Sequence, residues 1–331
     1  MGIRGLLLKR PVRLFAPWSS RASVFYKKLI DLQPRRVFGA FLTLAAVVYL
    51  IFQLGGGQEQ VPQALDAVQL PQLFMSLVAA FAMVLLKATY HVLLLQRLCR
   101  HSISWRDTMP AYSVAQIVRY LPGKVWGVIY QVNRLSNKAP MSAVVATNTI
   151  QMATTNFLSV GVIVSVLAAA LMGVFWPLLG IPISFLAVEL IHRTPLFERW
   201  VLSVIDSLRR KPQTSGITGV PFRILGTAIL SWEWLAYYLI WLLLLGSTQP
   251  ILEVIILATW YAAASLLAIF AFVVPAGLAI REAIFVEITS LASFSNVELI
   301  TYAAIMRVIL TLAELLSVPV VLVLARARAP V

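Results

Sequence analysis

Long apolar runs alternate with short polar segments along this chain. Each run is close to the ~20 residues that an α-helix needs to cross a bilayer core, whereas a half-buried strand would alternate apolar and polar residues. The pattern therefore predicts an all-α polytopic membrane protein. Firm spans are predicted at residues 37 to 54, 72 to 95, 142 to 170, 174 to 191, 224 to 245, 251 to 274 and 298 to 324.

Two further stretches, 111 to 131 and 276 to 296, are largely apolar but carry charges and helix-breaking residues in their first halves. Their topology is predicted from the Lys and Arg residues of the loops, because these residues accumulate on the cytoplasmic side. The segments that contain such residues are 1 to 36, 96 to 110, 132 to 141, 193 to 223 and 326 to 331. The segments that lack them are 55 to 71, 171 to 173 and 246 to 250.

The charge distribution assigns a different topology to each of the two stretches. Residues 111 to 131 form a re-entrant element, because a full crossing would place the cations of 193 to 223 outside the cell. Residues 275 to 296 form a broken helix that crosses the membrane, which returns Arg326 and Arg328 to the cytoplasm. We therefore expect about eight crossings of the cytoplasmic (inner) membrane, with both termini cytoplasmic.

Composition excludes several other classes of protein. Hydrophobic residues make up 60% of the chain, above the roughly 45–50% of soluble proteins, so we expect one transmembrane domain over 37 to 325. The net charge of +14 follows the loops, which argues against a nucleic-acid partner. The single cysteine and three histidines do not cluster with carboxylates, so neither a metal nor a cofactor is expected. The basic arm, 1 to 36, is expected to lie on anionic lipids, and 326 to 331 forms a tail.

The first candidate site surrounds a Pro-Gly break inside the re-entrant element. Pro122 removes a backbone donor and Gly123 permits a turn, so a helix should end there. Broken backbone at membrane depth requires a protein-lined or water-filled cavity. With Arg119 and Lys124 on either side of the break and Gln116 one turn earlier, such a cavity would attract an anion. The alternative is a loop whose cations contact lipid phosphates.

The second candidate site lies where the chain enters the broken helix. Gly277 can begin this helix, whose first turns point backbone N–H groups and a positive dipole end at an anion, and Arg281 reinforces them. Glu282 is expected to pair with a cation, because an unpaired charge there is costly. Glu287 is a further candidate contact. The alternative is a structural ion pair between two helices.

The last span supplies a third set of charges. Arg307 and Glu314 are seven residues apart and so share a helix face. Arg307 either balances Glu282 or Glu287 or holds a phosphate through its planar fork. Lys87 is a secondary candidate in the second span, where we expect it and His91 to extend toward the cytoplasm.

The two Pro-Gly elements resemble the transmembrane flippase region of the lysylphosphatidylglycerol synthetase/flippase family, whose relatives occur beside archaeal and bacterial glycan assembly. The residues that carry the likeness are Arg119-Tyr-Leu-Pro-Gly-Lys-Val-Trp126, Pro275-Ala-Gly-Leu-Ala-Ile-Arg-Glu282 and Arg307. The family's second motif often reads Pro-Gly-Gly-Leu-Gly, so Ala276 and Ala279 depart from it. We expect no synthetase activity, because the chain contains no aminoacyl-transferase domain after its last span.

The resemblance implies movement of a lipid with a phosphate-bearing head group between leaflets. Independently, two broken elements at comparable places suggest two halves with pseudo-symmetry around a midplane site. We therefore expect a flippase for a lipid or lipid-linked saccharide that is not driven by ATP, since no G-x-x-x-x-G-K-[ST] motif occurs. The alternatives are an integral-membrane glycosyl transferase acting on polyprenyl phosphates and a scaffold of cell-envelope assembly. No catalytic constellation supports an enzyme.

Overall fold

The computed structural model describes residues 44, 48–51, 68–99, 103–120, 125–171, 182, 185, 186, 203, 220–246, 248–268, 279–289 and 294–326. These residues contain no strand, and their helices follow in chain order. They are α1 (Leu70–Leu98), α2 (Trp105–Val118), α3 (Trp126–Arg134), α4 (Met141–Leu171), α5 (Val220–Leu245), α6 (Ile251–Leu267), α7 (Ile280–Thr289) and α8 (Asn296–Arg326).

Four of these helices, α1, α4, α5 and α8, are long and apolar enough to cross a membrane. They confirm that the runs predicted at 72 to 95, 142 to 170, 224 to 245 and 298 to 324 form helices of membrane-spanning length. Large apolar side chains such as Phe74, Met152 and Val308 are more than half exposed on their outer faces, as expected of surfaces that meet lipid. Within the described residues the chain is thus a helical membrane protein, and eight crossings stay a prediction.

The other predicted spans are described only in part. The predicted span 251 to 274 corresponds to α6, which has 17 residues and so measures about 25 Å. Helix α7 has ten residues, about 15 Å, or half of the bilayer core that 276 to 296 was expected to cross. The N-terminal arm 1 to 36 lies outside the described residues. So do most of the predicted spans 37 to 54 and 174 to 191.

Helices α2 and α3 lie on either side of the first Pro-Gly element. Helix α2 ends at Val118 and α3 begins at Trp126, and the two helices pack against each other. A Cβ atom at Gly127 would lie 2.7 Å from the carbonyl oxygen of Ala115, so only glycine allows this approach of the two backbones. Near this pair, Lys138 donates to the carboxylate of Asp107 over 2.6 Å.

Local sequence signals mark the starts of α7 and α8. Ser295 and Glu298 form a reciprocal capping box at the start of α8, because Ser295 donates its backbone N–H to Glu298 and Glu298 donates its own to the Ser295 hydroxyl. Ala279, just before α7, has a φ of +62°, in the left-handed region that favours glycine. This residue stands where the resembling family often has glycine, so the departure from the motif strains the backbone there.

Helix α1 occupies the centre of the bundle and packs against α2, α4, α5 and α8. Helices α5, α6 and α7 meet in an aromatic cluster of Trp241, Tyr261 and Phe285, with ring centroids 5.2 to 6.4 Å apart. This cluster fixes the first turns of α7, on which the charged residues of the second Pro-Gly element lie.

Candidate functional site

A buried charge cluster joins α7 to α8. The Glu282 carboxylate accepts hydrogen bonds at one oxygen, Oε1, from Arg281 Nη2 at 2.9 Å, Arg281 Nε at 3.2 Å and Arg307 Nη1 at 2.8 Å. The Arg281 guanidinium also lies over the Tyr261 ring, 4.7 Å from its centroid, an arrangement that gains cation–π attraction. The prediction that Glu282 pairs with a cation is confirmed, and of the two carboxylates considered for Arg307 it is Glu282 that pairs with it.

A second ion pair joins α1 to α5. Lys87 Nζ lies 3.1 Å from Glu233 Oε1, and the Glu233 side chain is only 12% exposed. The other oxygen, Glu233 Oε2, is buried and has no hydrogen-bond partner among the described residues. The pair places two opposite charges inside the bundle.

Some of these charges line a cavity of about 240 Å³ between the helices, whereas Glu282 and Arg307 are not part of its wall. Lys87, Glu233 and Arg281 are the charged residues of its wall within the part of the chain that the structure describes. The remaining polar and aromatic wall residues are Thr155, Asn156, Ser159, Ser265, Trp234, Tyr237 and Tyr261. The cavity therefore combines cations, amide and hydroxyl groups, and aromatic rings in one partly open space.

The charges at this cavity do not balance. Lys87, Arg281 and Arg307 contribute three positive charges, and Glu233 and Glu282 contribute two negative ones, so one net positive charge remains among the described residues. A charge inside an apolar bundle is stable only when it is paired or hydrated. The excess positive charge is therefore either hydrated or balanced by an anion that enters the cavity.

Arg119 lies apart from this cavity. It forms an ion pair with Glu314 of α8, and the Tyr120 hydroxyl donates to the other Glu314 oxygen at 3.0 Å. Arg119 is not among the residues of the cavity wall. The structure therefore does not bring the first candidate site to the cavity that contains Arg281; Lys87 lies in the wall of that cavity with Arg281 instead.

The other predicted site residues are dispersed. Glu287 is exposed on α7 and accepts a hydrogen bond from Tyr49 at 3.1 Å, and Gln116 is half-buried on α2. The residues of the two breaks that lie outside the described residues are Pro122, Gly123, Lys124 and Gly277.

The prediction that His91 extends toward the cytoplasm is wrong. His91 is fully buried, its Nδ1 lies 2.7 Å from Gln151 Oε1, and its ring lies 4.3 Å from that of Tyr112. Gln151 donates in turn to the backbone carbonyl of Lys87 at 3.1 Å. This network joins α1, α2 and α4, because amide side chains in apolar helices find partners on neighbouring helices.

Sequence reasoning missed Glu233 as a member of the site. It lies between Trp232 and Trp234 in the span predicted at 224 to 245. The sequence did contain an indication of its role. Lys87 and Glu233 are single opposite charges in two predicted spans, and buried charges in spans usually form pairs.

The chain matches no protein-family model, and comparison with curated proteins gives no match. The resemblance to the lysylphosphatidylglycerol synthetase/flippase family therefore stays a prediction from the motifs.

Proposed function

We propose that the protein is a flippase that moves a phosphate-bearing lipid or lipid-linked saccharide between the leaflets of the cytoplasmic membrane. The observation that carries this proposal is the cavity lined by Lys87, Glu233 and Arg281, with its one net positive charge inside an apolar bundle. A phosphodiester carries one negative charge at neutral pH and would balance that excess. Arginine and lysine are the side chains that bind phosphate oxygens in proteins.

The size of the cavity supports a head group rather than a whole lipid as its occupant. Its volume of about 240 Å³ lies below the roughly 300–1,000 Å³ of pockets that enclose drug-sized ligands. The acyl or prenyl tails would therefore stay outside in the bilayer while the head group crosses through protein. This division avoids the cost of moving a charged head group through hydrocarbon.

Sequence features support the remaining parts of the proposal. The Lys and Arg residues of the loops favour the inner membrane with cytoplasmic termini. Without a nucleotide-binding motif, a gradient or downhill transfer supplies the energy. The two broken elements suit alternating access between two halves.

A lipid-translocation assay tests this function. The purified chain is reconstituted in phosphatidylcholine vesicles that carry either fluorescent phosphatidylglycerol or a fluorescent polyprenyl phosphate, and dithionite reports the label exposed outside. We expect translocation of at least one of these lipids above the rate in empty vesicles. The Lys87→Met variant should be at least ~10-fold slower, because a charge-assisted hydrogen bond contributes about 1.5–3 kcal/mol.

Lys138→Met is the matched control. It removes a lysine from a Lys–carboxylate pair in the same way, but Lys138 lies at the surface with its side chain 52% exposed. Its rate should equal that of the wild type. A wild-type rate no higher than in empty vesicles, or equal rates for Lys87→Met and wild type, contradicts the proposal. Chemical change of the recovered lipid in mass spectrometry would favour the glycosyl-transferase alternative.

A further inference from the structure

The hydroxyl groups of the cavity wall are free to accept hydrogen bonds but not to donate them. A hydroxyl group has one proton to donate and two lone pairs that accept. The hydroxyls of four wall residues already donate that proton to backbone carbonyls, over 2.7 to 2.9 Å; they are Thr155 and Ser159 of α4, Tyr237 of α5 and Ser265 of α6. An occupant of the cavity can therefore bind these oxygens only through donors of its own.

Glu233 adds a charged acceptor to the same wall. One carboxylate oxygen, Oε1, lies 3.1 Å from Lys87 Nζ, and the other, Oε2, is buried and has no hydrogen-bond partner among the described residues. An unpaired carboxylate oxygen in an apolar interior is costly. The terminal torsion of glutamate is broad, so the carboxylate can turn Oε2 toward a donor in the cavity while Lys87 stays close. Oε2 is thus the acceptor that gains most from a donor on the ligand.

Charge decides which kind of donor fits. Hydroxyl and ammonium groups both donate hydrogen bonds, but an ammonium also brings a positive charge. Lys87 and Arg281 against Glu233 already leave one excess positive charge in the described wall. A phosphodiester cancels this excess only if the rest of the head group is neutral, and an ammonium would also be repelled by the two wall cations. The donors on the ligand are therefore expected to be hydroxyl groups.

Aromatic rings add a surface for a cyclic head group. Trp234 and Tyr237 are half-buried in the wall, with ring centroids 5.5 Å apart. The face of an aromatic ring is negative and attracts weakly positive C–H groups. A sugar or cyclic polyol presents C–H groups on its faces and hydroxyl groups at its edge. Aromatic rings beside a set of acceptors therefore suit such a ring.

We propose that the cavity selects a phosphodiester whose head group is a neutral sugar or polyol, with Glu233 and the four wall hydroxyls accepting hydrogen bonds from its hydroxyl groups. Lys87 and Arg281 bind the phosphate, and Trp234 packs against the ring. Head groups that carry an ammonium group, or that lack donors, bind more weakly. This inference rests on the proposed function and names the substrate class of the same cavity. Because the tails stay in the bilayer, a diacyl lipid and a prenyl lipid are two sources of this one chemistry.

Paired lipids that differ in their hydroxyl groups test the selection. Dioctanoyl phosphatidylinositol is compared with dioctanoyl phosphatidylethanol, which has the same phosphodiester charge and no head-group hydroxyl, and with dioctanoyl phosphatidylethanolamine. A short-chain prenyl phosphate that carries a hexose is compared with its methyl counterpart, which distinguishes the two sources. Affinities are measured by calorimetry on the full chain in a detergent without a sugar head group.

We expect the hydroxyl-bearing member of at least one pair to bind at least ~10-fold more tightly than its hydroxyl-free partner, because one hydrogen bond to a charged group corresponds to about that factor. Phosphatidylethanolamine should bind more weakly than phosphatidylinositol. Equal affinities within both pairs, or tighter binding of phosphatidylethanolamine, overturn the inference and leave the proposed function standing. A wild-type chain that binds none of these lipids contradicts both.

Two variants test the assigned acceptors. Glu233→Gln and the double variant Ser159→Ala/Ser265→Ala should each lower the ratio of the paired affinities several-fold while the hydroxyl-free lipid still binds, a change that a merely structural role would not produce. The matched control is Ser231→Ala on α5, which removes a hydroxyl that donates to the Thr227 carbonyl at 2.8 Å and lies outside the cavity wall. It should keep the wild-type ratio. A wild-type ratio in both test variants overturns the inference.

Discussion

The cluster of Arg281, Glu282 and Arg307 should dominate the stability of the α7–α8 contact. Glu282 is 6% exposed, and the arginine side chains are 16% and 19% exposed, so solvent screens these charges little. Glu282→Met leaves two guanidiniums buried without a counter-ion, which costs about 3–5 kcal/mol. Arg307→Met leaves Glu282 paired with Arg281, so we expect the smaller loss of one charge-assisted hydrogen bond, about 1.5–3 kcal/mol.

These losses can be measured by reversible unfolding of the full chain in mixed micelles, followed by tryptophan fluorescence. Glu287→Met is the matched control, since it removes an exposed carboxylate from the same helix and should cost at most about 1 kcal/mol. The double variant Glu282→Met/Arg307→Met should cost less than the sum of the single variants by about 1–3 kcal/mol, because the two residues share one interaction. Equal losses for Glu282→Met and Glu287→Met, or strict additivity, would refute the reasoning.

Three further predictions concern local features. Ala279→Gly should raise the unfolding midpoint, with a gain of at most about 1 kcal/mol in the free energy of unfolding, because it relieves the positive φ. A lower midpoint would contradict this. Gly127→Ala should destabilise by about 1–3 kcal/mol in the same assay, because the new Cβ meets a carbonyl oxygen of α2 at 2.7 Å. Burial raises the pKa of Asp107, but the hydrogen bonds of its carboxylate with Lys138 and Ser104 and the nearby charges of Lys138 and Arg134 together outweigh burial and hold the pKa below its ordinary value. The pair therefore contributes fully to the stability of the fold above the pKa that Asp107 has in the unfolded chain. That contribution is lost as pH falls through the lower pKa of the folded chain. Asp107→Asn should therefore make the free energy of unfolding less dependent on pH below about pH 4.

Hydropathy was sufficient to predict the long helices. The limits of α1, α4, α5 and α8 lie within a few residues of the predicted spans, because a bilayer core fixes the length of an apolar run. The Pro-Gly pair likewise predicted that Val118 and Trp126 belong to different helices, since proline and glycine end helices through their own backbone chemistry.

Ion-pair partners were predicted less well. Sequence placed Arg307 opposite either Glu282 or Glu287, and the choice depends on the rotation of α7 about its axis, which its short apolar pattern does not define. The partner of Lys87, Glu233, lies 146 positions away in the sequence. The pair was therefore not evident from the sequence, and Lys87 was expected to extend to the cytoplasm. Contacts between distant helices depend on packing order, and hydropathy carries no information about that order.

The central claim, that a phosphate-bearing head group occupies the cavity, is tested most directly by cysteine protection. Cys99 is the single native cysteine and gives little background, since it is buried and burial raises the pKa of its thiol to about 11. Ser265→Cys places a reactive thiol in the cavity wall. We expect dioctanoyl phosphatidylglycerol or a short-chain polyprenyl phosphate to slow its reaction with a small maleimide several-fold, dioctanoylglycerol to have no effect, and Arg281→Gln to abolish the protection. Equal reaction rates with and without both phosphate-bearing lipids would contradict the claim.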